Sequence, residues 1–222
     1  MDRTTIITLI HNQQLLNEAF THRSYLNETK EQIASNERLE FLGDAVLEII
    51  VSEYLFHQFT EFPEGKLTLL RSSIVRTESL SKAALLLDLG NQLRMSRGEE
   101  ENGGRANKSI LANTYEAVLG ALYLDQGLLA ARNFVQMSLF QTIPHILKNK
   151  AYLDAKSNLQ EKVQEKLKVT PVYRVLTETG PDHKKIFTVG VFINNGKAGE
   201  GSGGSKQEAE AQAATEALKK YT

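Results

Sequence analysis

Apolar residues recur at spacings of three and four from Leu15 to Leu147, with little of the strict alternation that is typical of strands. This spacing predicts helices over six segments, which are 13–21, 36–58, 64–76, 78–88, 107–125 and 127–148. The polar stretch 98–107, GEEENGGRAN, is predicted to be a surface loop. The front part of the chain is therefore expected to be all-α.

The pattern changes after residue 149, where short alternating runs replace the helical spacing. They predict a helix, three strands and a second helix, in that order. The first helix is expected at 154–168, the first two strands at 172–179 and 185–193, and the last helix at 205–221. Asn194-Asn195-Gly196 predicts a tight turn before the third strand. We therefore expect an all-α domain over 1–148, a linker over 149–153 and a small α+β domain of order α-β-β-β-α over 154–222.

Composition limits the chemistry that the chain can perform. Its 222 residues include no cysteine, which excludes disulfides, thiolate nucleophiles and zinc held by cysteine. The five histidines are not closely paired, so oxygen atoms are the expected ligands of any metal, and Mg²⁺ or Mn²⁺ the expected ion. No apolar run of about 18 residues and no secretory signal are visible. We therefore expect no membrane partner and a cytoplasmic location.

The formal net charge of −1 does not point to a polyanionic partner. Its distribution along the chain is uneven, because residues 153–222 carry 11 Lys and Arg against 9 Asp and Glu. The tail is thus slightly basic and the front part acidic. Neither imbalance is large enough to decide the function.

Three acidic residues lie on one face of the helix predicted over 36–58. Glu37, Glu40 and Asp44 follow helical spacing, and Leu39, Leu42, Val46 and Ile49 form the apolar stripe. Taken alone, such a face is most often simply solvated.

A second segment, residues 110–125, favours a metal site instead. It is apolar almost all round, as a buried helix is, yet it contains Asn113 and Glu116 one turn apart. A carboxylate inside such a helix must be paired, protonated or bound to a metal. Gly43 and Gly120 would let the two helices approach closely. Four oxygen-bearing side chains, Glu40, Asp44, Asn113 and Glu116, would then surround a hard divalent cation.

The motifs around these residues resemble those of ribonuclease III. The match includes ERLEFLGDAVL at 37–47 and three flanking motifs in the same order along the chain, which are Thr21-His22-Arg23-Ser24-Tyr25, Glu64-Gly65-x-Leu67-Thr68, and Gly104-Arg105 before Ser109-Ile110-Leu111-Ala112. Several spaced matches in one order are far more specific than a single short motif. The resemblance extends over essentially the whole chain.

The resemblance implies a homodimeric, Mg²⁺-dependent endoribonuclease of double-stranded RNA, in which Mn²⁺ can substitute. Its products would carry 5′-phosphate and 3′-hydroxyl ends, and its substrates would be ribosomal RNA precursors and other structured transcripts. Asp44 and Glu116 would be catalytic, and Glu40, Asp44, the residue at position 113 and Glu116 would hold the metal. Phe41 would project into the partner subunit or be ordinary core. Glu37 and Glu64 would be auxiliary to RNA placement or merely solvated.

One position departs from the family pattern. Where the family has Asp, this chain has Asn113, whose amide offers a neutral oxygen and adds an N–H donor. The metal site therefore has one negative charge fewer than the family norm. The alternative reading is a catalytically weakened or silent RNA-binding protein of the same fold.

The tail resembles the double-stranded-RNA-binding domain, which recognises the shape of the duplex more than its sequence. The resemblance implies RNA contacts from Ser157, Gln160, Gln164, His183 and Lys206. The three residues of the first helix share one face, and Lys206 lies at the start of the last helix, where the helix dipole favours phosphate. The alternative for each is an ordinary solvated side chain.

Overall fold

The computed structural model describes residues 9–148, 155–181 and 184–221. The chain divides into two units, Met1–Asn149 and Lys150–Thr222. The predicted linker over 149–153 and His183 lie outside the described residues. The fold class agrees with the prediction, because the first unit is helical in the part that is described and the second has the order α-β-β-β-α.

The first unit contains seven α-helices within its described residues. They are α1 (Gln13–Ala19), α2 (Glu37–Gln58), α3 (Glu64–Val75), α4 (Thr77–Leu86), α5 (Arg97–Glu101), α6 (Lys108–Ser138) and α7 (Ile143–Lys148). Among these residues, and in the described part of the second unit, no helix is long and apolar enough to cross a membrane.

The predicted surface loop at 98–107 was wrong in part, because α5 lies across its start. The Oγ of Ser96 accepts a hydrogen bond from the backbone N–H of Glu99, which caps the helix, and Glu99 and Glu100 suit its first turn. Gly103, in a left-handed conformation with φ 79°, follows the helix. Local capping thus outweighed the polar composition.

The helix predicted over 127–148 was also wrong in its bounds. Gly127 breaks the helical geometry of α6 with φ 80° and ψ −177°, but helical turns continue directly to Ser138. A 3₁₀ turn then precedes α7. Pro144 has no N–H to donate to a preceding turn, so it fits the first turn of a new helix better than the interior of a long one.

The core of the first unit forms where α2 lies against α6. Leu47, Ile50 and Val51 of α2 are buried, as are Tyr115 and Leu119 of α6. These large apolar side chains supply most of the hydrophobic free energy that holds the two helices together.

Two glycines let the backbones of α2 and α6 touch. A Cβ atom on Gly43 would lie 1.8 Å from the carbonyl oxygen of Glu116, and a Cβ on Gly120 would lie 2.2 Å from the carbonyl oxygen of Leu39. No side chain fits in either place. The close approach expected from these two glycines is confirmed.

The second unit packs two helices on one face of a sheet. Its elements are α8 (Ala155–Leu167), β1 (Val172–Thr179), β2 (Ile186–Ile193), β3 (Gly196–Gly203) and α9 (Lys206–Tyr221). The strands are antiparallel in the order β1-β2-β3. Leu159 and Val163 of α8 pack with Val191 of β2 and with Ala213 and Ala217 of α9.

Local signals in the sequence fix the two ends of β3. Asn194 and Asn195 have φ angles of 48° and 67°, as a two-residue hairpin turn requires, and Gly196 is already the first residue of the strand. After β3, the Oγ of Ser205 accepts from the N–H of Glu208, whose carboxylate accepts from the N–H of Gly204. This reciprocal cap starts α9.

The helix contact gives a test of the fold. We expect Gly43→Ala to lower the free energy of unfolding by roughly 3 kcal/mol or more, because the added methyl group must push the two backbones apart. Urea denaturation measures the loss. The matched control is Gly65→Ala in α3, where an added Cβ meets nothing within 4 Å. An unchanged stability for Gly43→Ala would contradict the described contact.

Candidate active site

The first turns of α2 present its acidic residues at the crossing with α6. Glu37, Glu40 and Asp44 share one face, while Leu39 is buried on the other. Glu37 and Asp44 are exposed and Glu40 is partly buried. The carboxylates therefore lie at the edge of the helix contact, with Glu40 the most buried of the three.

The helix α6 contributes Asn113 and Glu116 to the same place. The side chain of Asn107 accepts hydrogen bonds from the N–H groups of Ser109 and Ile110 and so fixes the start of the helix. The amide of Asn113 donates a hydrogen bond to the carboxylate of Glu40. The structure thus brings together residues that are more than seventy positions apart in the sequence.

The electrostatics of Glu116 show how close the carboxylates are. Burial, the largest cause, together with the negative charges of Asp44 and Glu40 raises the pKa of Glu116 to about 8. Burial also raises the pKa of Glu40, as do Glu37 and Asp44, while the hydrogen bond from Asn113 lowers it. Without a cation, the cluster therefore cannot hold all of its negative charges at neutral pH.

The donor set of this cluster fits a hard divalent cation. Three carboxylates and one amide oxygen are the ligand types that Mg²⁺ prefers, with water completing the shell. Across residues 9–148, 155–181 and 184–221, no three histidine or acidic side chains already surround one point closely enough to hold a metal. A cation held by these side chains would balance their negative charges.

A polar pocket of about 320 Å³ adjoins the cluster. Glu37 lines it, held by Arg23 at 3.4 Å and by the hydroxyl of Ser35 at 2.9 Å. The full lining is His22, Arg23, Asn36, Glu37, Glu40, Ile110 and Asn113. Sequence reasoning assigned no role to four of them, His22, Arg23, Asn36 and Ile110. The only signal was that His22, Arg23 and Ile110 belong to family motifs.

Glu64 and Phe41 lie apart from this pocket. Glu64 is the first residue of α3, accepts a hydrogen bond from the hydroxyl of Thr68 at 2.9 Å, and lines a separate groove between α2 and α3. Phe41 is 80% exposed, so its reading as ordinary core is wrong for the single chain.

The RNA-contact residues predicted in the second unit are mostly exposed. Gln160 and Gln164 are exposed on α8, whereas Ser157 is partly buried. Lys206 is exposed at the first position of α9, with its Nζ 5.7 Å from the centre of the Phe187 ring. His183 lies outside the described residues.

Comparison with known proteins identifies the family. A family model described as Ribonuclease-III-like matches residues 12–143, and one described as a double-stranded RNA binding motif matches residues 155–221. The chain belongs to the ribonuclease III family. It is 48% identical to Ribonuclease 3 of Desulforamulus reducens, over 94% of this chain and 85% of that protein. It is 46% identical to Ribonuclease 3 of Enterococcus faecalis, over 95% and 92%.

A solved structure of the ribonuclease III family supports the fold of the first unit. The nuclease domain of ribonuclease III from Campylobacter jejuni matches with a TM-score of 0.58 and 39% identity, over 64% of this chain and 96% of that one. Membership of the ribonuclease III family, with the RNA-binding motif that follows, makes the chain an endoribonuclease of double-stranded RNA. The alternative of a silent RNA-binding protein is not favoured by these comparisons.

The raised pKa of Glu116 gives a stability prediction for this ribonuclease III chain without metal. The unfolded chain releases this proton near pH 4.5 and the folded chain near pH 8, so stability should fall as the pH rises through that window. In EDTA at pH 8, Glu116→Gln should stabilise the fold by roughly 2 kcal/mol, since partial solvent screening reduces the full linkage energy.

Thermal unfolding from pH 5 to pH 8 measures this effect. The control is Glu48→Gln, which changes a carboxylate of α2 that is paired with Arg71 at 2.9 Å. Equal pH slopes for the parent chain and Glu116→Gln would show that Glu116 is not buried among like charges.

Proposed function

We propose that Glu40, Asp44, Asn113 and Glu116 form the catalytic metal site of this endoribonuclease and hold Mg²⁺, which Mn²⁺ can replace. The observation that carries the proposal is the close crossing of α2 and α6 at Gly43, which places the partly buried carboxyl of Glu116 beside the two acidic residues of α2. The raised pKa of Glu116 agrees with this placement. A cation at this point relieves the repulsion and lets all three carboxylates ionise. Asp44 and Glu116 are the catalytic residues.

A metal held by these residues would supply a water of lowered pKa and would stabilise the negative charge that develops on the phosphate during hydrolysis. The residues of the chain orient that metal. Asn113 donates to Glu40 and so holds the Glu40 carboxylate in place, while its own amide oxygen is a neutral ligand. No protein nucleophile is needed, and hydrolysis gives 5′-phosphate and 3′-hydroxyl ends.

Asn113 is the position that most directly tests this site. We expect Asn113→Asp to lower the Mg²⁺ concentration for half-maximal cleavage about tenfold, because the site regains a charge of the family pattern at nearly constant side-chain size. The same change removes the N–H that binds Glu40, so the metal-free protein should become less stable. Cleavage of a long RNA duplex across a Mg²⁺ titration measures the effect.

Two controls separate metal binding from other effects of the substitution. RNA binding in Ca²⁺ should be unchanged in Asn113→Asp, and Glu116→Gln in the same chain should abolish cleavage. If Asn113→Asp leaves both the Mg²⁺ requirement and the rate unchanged, position 113 is not a ligand.

We infer that the chain acts as a homodimer, because each strand of a duplex needs its own site and two-fold pairing is the simplest arrangement. The nuclease domain from Campylobacter jejuni is described with a region involved in dimer formation. Here Phe41 leaves a large apolar side chain in solvent. A groove of about 360 Å³ between α2 and α3, lined by Ile49, Leu55 and Leu67 among others, offers an apolar site that fits Phe41 of a second copy.

Dimer formation can be tested by replacing Phe41. Phe41→Ala should weaken association at least tenfold, because it removes the apolar side chain that the groove of the other copy would bury. Sedimentation equilibrium measures the change. Leu86→Ala is the matched control, since Leu86 is 81% exposed but lies on α4. A monomer that cuts both strands at working concentrations would contradict the proposal.

We propose that Ser157, Gln160 and Gln164 of α8, with His183 and Lys206, form the RNA-contact surface of the second unit. The exposure of the two glutamines and of Lys206 supports this surface. Lys206 lies at the N-terminus of a 16-residue helix, where the helix dipole also attracts phosphate. The neighbouring acidic residues Glu208 and Glu210 weaken the positive potential, so binding to the duplex should be weaker than Lys206 alone would give.

The isolated segment 150–222 should bind duplex RNA without cutting it. Lys206→Ala should reduce its affinity and lower the salt dependence by about one phosphate contact, whereas Lys219→Ala, at the other end of α9 and paired with Glu216, should change neither. Fluorescence anisotropy across a salt series measures both quantities. Equal affinity for duplex DNA would contradict recognition through 2′-hydroxyl groups.

Three expectations from the sequence remain predictions. They are the processing of ribosomal RNA precursors and other structured transcripts, a cytoplasmic location, and a linker at 149–153 between the nuclease domain and the RNA-binding domain.

A further inference from the structure

The segment that contains His22 is held firmly beside the acidic site. The N–H of His22 donates to the carbonyl of Arg94 at 2.9 Å, and the N–H of Arg94 donates to the carbonyl of Phe20 at 2.8 Å. The N–H of Asn36 donates to the carbonyl of Thr21 at 2.9 Å, which ties the segment to the start of α2. His22 is therefore a fixed part of the pocket wall.

The hydrogen bonds of the His22 ring determine which nitrogen carries its proton. The N–H of Ser24 donates to Nδ1 at 3.3 Å, and the hydroxyl oxygen of Ser24 lies 2.8 Å from the same nitrogen. That hydroxyl oxygen accepts from the N–H of Ser96 at 3.0 Å and can still donate its own hydrogen, so the backbone N–H of Ser24 decides the role of Nδ1. Nδ1 is thus an acceptor, and the neutral ring carries its proton on Nε2.

The other residues of the pocket suit a hydroxyl group better than a phosphate. The positive charge of Arg23, which lines the pocket, is already paired with the carboxylate of Glu37. Glu40 adds a second carboxylate to the lining. A phosphate would meet two negative groups here. A hydroxyl can accept from one partner and donate to another, and the pocket supplies carboxylate and amide oxygens to receive its proton.

We propose that the Nε2–H of His22 donates to the 2′-hydroxyl of a nucleotide next to the cleaved bond, so that His22 selects RNA over DNA at the cut. The hydroxyl donates its own proton in a hydrogen bond to an oxygen of the pocket lining. A-form duplexes display their 2′-hydroxyls in the wide minor groove, where a side chain can reach them. The inference rests on the proposed function, since it requires the cleaved bond to lie at Glu40, Asp44 and Glu116.

Two substitutions separate substrate recognition from the structural role of the ring. His22→Asn keeps an acceptor in place of Nδ1 for the N–H of Ser24 but removes Nε2, so the fold should be retained. His22→Gln places an amide N–H near the position of Nε2 and should retain part of the recognition. His11→Asn, an exposed histidine outside the pocket, is the control.

The experiment measures single-turnover cleavage in Mg²⁺ of an all-ribose duplex and of duplexes with one 2′-deoxy nucleotide at each position flanking the cut. For the parent chain and for His11→Asn, a 2′-deoxy nucleotide at one of these positions should slow cleavage about fivefold. This is the factor expected from the loss of one hydrogen bond. His22→Asn should cut the all-ribose duplex about fivefold more slowly and be insensitive to the deoxy change at that position. Its melting temperature should match that of the parent chain.

The proposal would be overturned if, at every position, the deoxy change slowed cleavage by His22→Asn by the same factor as cleavage by the parent chain. A parent chain that is insensitive to all single deoxy positions would also overturn it, a result that needs no variant to fold. Failure of the parent chain to cut the all-ribose duplex would instead contradict the proposed function itself, and this inference with it.

Discussion

The backbone contact between α2 and α6 is the constraint on which the rest of the first unit depends. Gly43 lies against the backbone carbonyl of Glu116. The side chain of Glu116 is the carboxyl of the site whose pKa is raised to about 8, so this residue belongs both to the helix crossing and to the site. Any side chain at Gly43 would move that carboxylate away from Glu40 and Asp44. Packing and chemistry are therefore set by the same contact.

This arrangement has a thermodynamic cost in the absence of metal. Burial and like charges raise the pKa of Glu116, and the amide of Asn113 offsets part of the repulsion by donating to Glu40. Under the proposed assignment, a divalent cation would remove this repulsion but would have to displace the proton of Glu116, so metal affinity should rise with pH. Under the same assignment, an amide at position 113 should make the metal-free fold more stable than a carboxylate would, and should bind the metal more weakly.

Much of this site could be predicted from the sequence because its residues follow helical periodicity. The acidic face of α2, the polar pair in the apolar α6 and the two glycines are all visible at fixed spacings. The polar pocket was not foreseen, because His22 reaches it through a backbone bridge between Thr21 and Arg94, and periodicity carries no information on such distant pairs. The short helix α5 was missed because its cap is a single serine within a polar stretch.

The location of a bound metal tests the central claim most directly. Crystals of the full chain grown with Mn²⁺ should show an anomalous scattering peak at direct coordination distance from carboxylate oxygens of Glu40, Asp44 and Glu116, with water in the remaining positions. The peak should be absent from crystals of Glu116→Gln at the same Mn²⁺ concentration. A strong peak elsewhere, or an unchanged peak in that variant, would contradict the assignment of the helix crossing as the metal site.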